Sequence, residues 1–273
     1  MTGTLAQLIT LTSYGNDYLM NGKLPTGFYP NNTTFKFCNK VDFRKFKKSF
    51  FSSNSKETVV AEDPSLWFNY LKNDGCKKLR LYFQSSADQK LAKDHKLAGM
   101  VGGGGTWVIE AIYEKYSNGW VNRWEVTKPN DPESNIWTVN YILAVKKFPI
   151  LDLQYDQKII KEKLKQTLFE IENFARAHDL NDWSKIFENA RAVLNTQNPN
   201  DQYYHKDLIP VDNYSTISKQ ILFSAGSAWV FGGMGSWNDL GFENAKDGEL
   251  YDNLSEQLYS NINEAIISAI NSY

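Results

Sequence analysis

The chain has 273 residues, 42% of them hydrophobic and 22% charged, with a net charge of −1. That is the balance of a soluble globular protein able to bury an ample core, as one large domain or two modest ones. No run approaches the ~18 apolar residues of a membrane span. The start lacks the basic region, apolar stretch and cleavage site of a signal peptide. The two cysteines, Cys38 and Cys76, exclude a disulfide scaffold, so a reduced, cytoplasmic setting is expected.

The small net charge hides an asymmetry. Residues 1–150 hold 20 Lys and Arg against 13 Asp and Glu, a net of +7, while residues 151–273 hold 10 against 18, a net of −8. Such a split suits two parts that dock on each other, one acidic face offered to a partner, or unequal solvated faces with no further role.

In chain order, the first 60 residues carry weak signals. The run "TTFKFCNKVDF" alternates as a strand, with Phe35 and Phe37 on one face, and "RKFKKSFFSSNSKE" reads as a surface turn. A helix then opens with Asp63 as cap and Pro64 at its first position, closing at Asn73-Asp74-Gly75. "KKLRLYFQSS" opposes Leu79, Leu81 and Phe83 to Lys78, Arg80 and Tyr82, the pattern of a half-buried strand.

Residues 106–145 read as a three-stranded antiparallel meander, its first turn placed at Ser117-Asn118-Gly119. One face would carry Trp107, Ile109, Tyr113, Trp120, Trp124, Trp137, Val139 and Tyr141. Near residue 150 the period changes from 2 to 3.6. Ile160, Leu164, Leu168, Ile171 and Phe174 mark a helix, "LNDWSKIFENARAVLN" a second, and Ile217, Ile221, Ala225 and Ala228 a third. Leu250, Leu254, Leu258, Ile262, Ile266 and Ile270 stripe a last one. The expected class is α+β: an antiparallel meander in residues 1–150 packed with a mainly helical 151–273, as two regions or one continuous domain.

Few residues form a chemical signature. The glycines at 102–105 precede a strand, not a helix N-terminus, and read as a loop instead of a phosphate cradle. His95, His178 and His205 are far apart in sequence and form no metal motif with the cysteines, so no metal or cofactor is expected. A Cys–His pair meeting in space stays open. Residues 36–48 interleave six Lys and Arg with Phe37, Phe43 and Phe46, which suits either single-stranded nucleic acid or an edge strand guarded by lysines, the latter favoured.

The stretch "AWVFGGMGSWNDLGFE", residues 228–243, holds bulky apolar groups beside carboxylates. Gly232-Gly233 would end the preceding helix, and Ser236 or Asn238 would cap a short turn. Met234, Trp237 and Phe242 either plug the core or project as anchors, with Asn238, Asp239 and Glu243 alongside. Downstream, residues 238–264 carry seven acidic residues against Lys246 alone.

This stretch, with a meander followed by helices and no catalytic signature, resembles uncharacterised bacterial proteins, some of whose kind are immunity partners of secreted polymorphic toxins. The resemblance implies a cytoplasmic, non-enzymatic protein that binds a cognate toxin domain and blocks it. Met234, Trp237, Asn238, Asp239, Phe242 and Glu243 would be the partner-binding residues. Two alternatives remain: an enzyme with a cleft carrying Asp239, Glu243 and a histidine, and a nucleic-acid-binding module using residues 36–48.

Overall fold

Six strands form one open mixed sheet: β1 (Cys38–Lys47), β2 (Lys56–Ala61), β3 (Lys78–Gln84), β4 (Thr106–Ile112), β5 (Ser117–Val126) and β6 (Trp137–Phe148). Their spatial order is β2-β1-β6-β5-β4-β3. The structure, a computed structural model, describes residues 1–47, 56–86, 93–98, 100 and 103–273. With 47% helix and 20% strand, and most helical residues gathered after the last strand, the class is α+β.

The expected meander is β4-β5-β6, antiparallel throughout. β1 adds to it in parallel beside β6, and β2 pairs antiparallel with β1 to make one edge. The strand expected from the basic stretch is therefore an interior strand, and the edge-strand reading is corrected. Its start also shifts. Residues 33–35 form a 3-10 turn that buries Phe35, while Phe37 sits at φ 75° with its ring exposed.

The β4–β5 turn falls at residues 113–116, not at Asn118-Gly119, which lie within β5 opposite Ala111 and Glu110. Tyr113 and Tyr116 stack across this turn at 4.8 Å, and Asn118 Oδ1 accepts the Lys147 amide at 3.0 Å. An Asn-Gly pair inside a strand serves a register shift here instead of a reversal.

Alternation along the strands gives the sheet one apolar face, built from Leu79, Leu81, Ile109, Ala111, Trp120, Val139, Tyr141 and Phe43, all buried. Two helices cover it, α1 (Gly3–Asn21) and α3 (Pro64–Asn73), with the one-turn α2 (Phe28–Asn31) between them in sequence. Asp63 caps α3 as expected, accepting the Leu66 amide at 2.8 Å. Trp67 of α3 stacks on Phe43 at 4.3 Å. At Gly15 of α1 an added Cβ would meet Leu79 Cδ1 and come within 2.8 Å of the Phe68 ring, so helix and sheet approach closely there.

α1 is buried almost continuously from Leu5 to Asn16. Several of its polar side chains find partners, as burial requires. Gln7 donates to the Thr34 carbonyl at 3.1 Å and accepts the Tyr141 hydroxyl at 2.9 Å, while Thr10 donates to the Leu208 carbonyl at 2.9 Å.

The other sheet edge, β3, is closed by side chains. Asn16 Oδ1 accepts the Leu79 amide at 2.6 Å and its Nδ2 donates to the Leu79 carbonyl at 2.9 Å. Asn271 repeats the pattern two residues on, with Leu81, at 2.8 and 2.9 Å. Each asparagine acts as a short strand and removes an open edge.

Beyond the sheet lie a one-turn helix α4 (Asp94–Leu97) and the bundle α5 (Gln157–Ala177), α6 (Asn181–Val193), α7 (Thr216–Ser227) and α8 (Ala245–Asn271). α8 packs on β3 as well as on α5 and α7. The buried apolar residues of 1–150 and 151–273 form one continuous cluster. Among the described residues no helix is long and apolar enough to cross a membrane.

Candidate functional site

The 228–243 stretch leaves α7 and enters α8. α7 stops at Ser227, and Ala228 closes it, so Gly232 and Gly233 lie beyond the helix end and do not terminate it. The sharp reversal comes at Gly235, φ 82°, a conformation that favours glycine. Ser236 then caps a 3-10 turn over residues 237–239. Its hydroxyl accepts the Asn238 amide at 3.3 Å, and Asp239 Oδ2 reaches back to the amides of Gly235 and Ser236.

The structure separates the six predicted partner-binding residues. Trp237 is wholly buried and plugs the core. Its indole Nε1 donates to Ser255 Oγ at 2.8 Å, and its ring packs edge-on against Trp183 and Phe187. Tyr251 donates its hydroxyl to the Trp237 carbonyl. Phe242 is half-buried among Phe174, His178 and Tyr251, with ring centroids 5.0–5.2 Å away. Asn238 is also drawn inward, its Nδ2 donating to the His95 carbonyl at 2.9 Å. Asp239 is exposed but committed to the cap. Met234 is fully exposed at 102%, and Glu243 is exposed with no ion pair among the described residues.

The acidic segment that follows is largely paired. Lys96 meets Asp252 at 2.9 Å, Lys93 meets Glu256, and Lys163 meets Glu264 at 3.4 Å. Glu243 and Glu249 stay without ion pairs among the described residues, at the start of α8 where the helix dipole favours negative charge.

The basic stretch spends its charge similarly. Lys40 and Arg44 flank the buried Asp42 at 3.1 and 2.8 Å, and Arg44 and Arg123 converge on Glu57 at 3.3 and 2.9 Å. Burial pushes the Asp42 carboxyl up, but Arg44 and Lys40 together outweigh it and hold it below its usual range. Cations locked to carboxylates are poor phosphate ligands. Residues 48–55 of the same stretch lie outside the described residues.

The histidines and cysteines stand apart. His205 Nδ1 lies 2.7 Å from Thr33 Oγ1, and His178 packs tilted against Phe174 and edge-on against Phe242. Both thiols are buried; burial pushes Cys38 up to about 11 and Cys76 up to about 12, which keeps them protonated at neutral pH.

His95 belongs to a cavity of ≈ 300 Å³ between β3, α4 and α8, whose described lining also includes Asp94, Glu256, Asn263 and Glu264. Here a histidine shares a cavity with carboxylates, while His178 Nε2 lies 4.0 Å from Asp247; Asp239 and Glu243 are not among the cavity's lining residues. Sequence reasoning missed it, although Asn263 interrupts the apolar spacing of Tyr259, Ile266 and Ile270 on α8. A polar residue on a buried helical stripe is the signal that could have found it.

No family model, no curated protein and no solved structure matches this chain.

Proposed function

We propose that this is a non-enzymatic binding protein of the immunity kind, acting in the cytoplasm to neutralise a toxin domain by covering its active site. The observation that carries the reading is Met234, fully exposed on a loop fixed from beneath by Trp237 and by the Ser236–Asp239 cap. A loop already ordered loses little entropy on docking. A methionine adapts to an apolar pocket, and Glu243 and Glu249, without ion pairs among the described residues, offer charge to Lys or Arg of a basic partner, which speeds encounter. Trp237 and Phe242 take a supporting part in this reading, as the packing that holds Met234 in place.

The test is copurification from native cells of the tagged full chain, followed by inhibition of the purified partner's activity. Met234→Asp and Glu243→Lys change exposed side chains and should leave the melting temperature unaltered. Met234→Asp should weaken inhibition by more than about tenfold, the scale of an interface hot spot. A partner bound and inhibited equally by wild type and both variants, or no partner at all, overturns the proposal.

A further inference from the structure

The sheet places its lysines unevenly. β1, β4 and β6 finish, and β2, β3 and β5 begin, at the same end. That end collects Lys45, Lys56, Lys77, Lys115, Lys146 and Lys147 across a width of about 24 Å, the span of six strands at ~4.8 Å spacing. None of the six has an ion pair among the described residues. The carboxylates beside them are Glu57, already held by Arg44 and Arg123, Asp74, which accepts the Tyr113 hydroxyl at 2.9 Å, and Glu114. At the opposite end Glu125, Asp131 and Glu133 offset Lys36, Lys40 and Lys128, so the positive excess is confined to one end.

The close of β6 exposes its share of that charge. Its register against β5 slips twice, between Ser117 and Gly119 and again between Gly119 and Trp120. Ala144, Val145, Lys146 and Lys147 are exposed in succession, and such bulges re-aim side chains at a strand end. Lys147 sits at φ 53°, a left-handed conformation uncommon outside glycine, and Asn118 Oδ1 fixes it by accepting its amide at 3.0 Å.

Two features select a lipid surface over a nucleic acid as the anionic partner. The arginines of the sheet, whose planar fork matches single phosphates, are committed to carboxylates: Arg44 to Asp42, Arg80 to Glu110 and Arg123 to Glu57. The cations left over are lysines, point charges suited to a diffuse negative surface. Beside them the exposed apolar side chains are Val145, Ile150, Leu151 and Phe46, three of them aliphatic. Aliphatic groups sink into the acyl boundary of a bilayer, whereas bases seek aromatic faces to stack on. The Tyr116 ring is already engaged, stacked on Tyr113 at 4.8 Å with Lys147 Nζ 5.7 Å from its centre.

We propose that this end of the sheet docks on the surface of an anionic phospholipid bilayer, its lysines among the headgroups and Val145, Ile150 and Leu151 dipping beneath them. The contact is peripheral and does not rest on the Met234 loop.

The test is cosedimentation of the full chain with vesicles of phosphatidylglycerol and phosphatidylcholine in equal parts, and with vesicles of phosphatidylcholine alone. Fluorescence anisotropy with labelled single- and double-stranded DNA oligonucleotides runs beside it at the same salt. The chain should bind the anionic vesicles, ignore the neutral ones, and lose at least about tenfold in affinity between about 0.1 and about 0.5 M salt. Lys146→Gln with Lys147→Asn, asparagine tolerating positive φ, should weaken vesicle binding about 25-fold, about fivefold per lysine. Lys77→Gln with Lys115→Gln, away from the slipped register, should do the same and decides the matter if the first pair disturbs folding. Lys185→Gln with Lys206→Gln makes the same charge change on exposed lysines elsewhere and should leave binding almost unchanged. No binding to anionic vesicles, or equal binding to neutral ones, overturns the proposal. So does tighter binding to either oligonucleotide, binding that survives both sheet-end pairs, or as large a loss from the control pair.

Discussion

Trp237→Ala distinguishes a core plug from a surface anchor. The ring is wholly buried, with centroids 5.6 Å from Trp183, 5.1 Å from Phe187 and 5.3 Å from Tyr251. Truncating a buried tryptophan costs about 3–5 kcal/mol through lost transfer energy and the cavity left behind. It also strips the fully buried Ser255 hydroxyl of its indole donor, so about 4–6 kcal/mol in total is expected. At roughly 2–3 °C per kcal/mol for a chain of this size, the melting temperature should drop by about 8–18 °C. Trp237→Phe keeps most ring contacts and loses only the hydrogen bond and part of the volume, so about 1.5–3 kcal/mol is expected. Adding Ser255→Ala to Trp237→Phe should cost less than Ser255→Ala alone, because the indole N–H it would orphan is already gone. Urea unfolding followed by circular dichroism measures all four proteins. A Trp237→Ala protein melting within about 2 °C of wild type would refute the buried placement and return Trp237 to the surface.

Two further outcomes follow from the fold. Asn16→Ala removes both bonds to the Leu79 backbone and leaves a buried N–H and C=O unmatched, for about 3–5 kcal/mol in urea melts. Asn271→Ala, less buried, should cost about half as much, and a loss below about 1 kcal/mol for Asn16→Ala would mean the edge is not closed this way. The second concerns pH: burial pushes the imidazoles of His95 and His205 below their usual value. Below about pH 6.5 the unfolded chain therefore takes up protons that the folded chain refuses, so stability falls as pH drops from 6.5 towards 5. Urea melts across that window should show a shallower slope for His95→Gln, and an unchanged slope would place the imidazole in solvent.

Of the helices of 151–273, α5, α6 and α8 were legible because each is wet on one side and buried on the other, which writes a 3.6 period into the sequence; α7, buried continuously from Gln220 to Gly226, was read from Ile217, Ile221, Ala225 and Ala228 alone. α1 was not. It is buried almost all round, so its apolar residues fall on every side, and Gln7, Thr10, Thr12, Ser13 and Asn16 break any stripe, with Gln7, Thr10 and Asn16 matched by distant partners. The Asn118-Gly119 turn failed for a local reason: a favourable dipeptide was outweighed by the Tyr113–Tyr116 stack and by a cross-strand bond to Lys147. Ser236 was legible as a cap because capping depends on neighbours in sequence. The inward turn of Trp237 was one of two readings the sequence allowed, and what selects it, packing on α6 and the bond to Ser255, lies outside any local pattern.

Charge shows why the site was harder to read than the fold. The sequence places a basic half before an acidic one, and the same totals describe a face turned to solvent, one turned to a partner, or two surfaces turned to each other. In the folded chain much of the imbalance is internal, through Lys93 with Glu256 and Lys96 with Asp252, and Lys78 Nζ donates to the Asn271 and Tyr273 carbonyls at the end of α8. Each of these contacts spans more than 150 residues of sequence, beyond the reach of any local pattern. Subtracting them leaves Glu243 and Glu249, on the segment that follows Met234, without ion pairs among the described residues. The acidic run is therefore two things: a helix side that docks to the chain's own lysines, and a short N-terminal stretch free to meet the positive charge of another molecule.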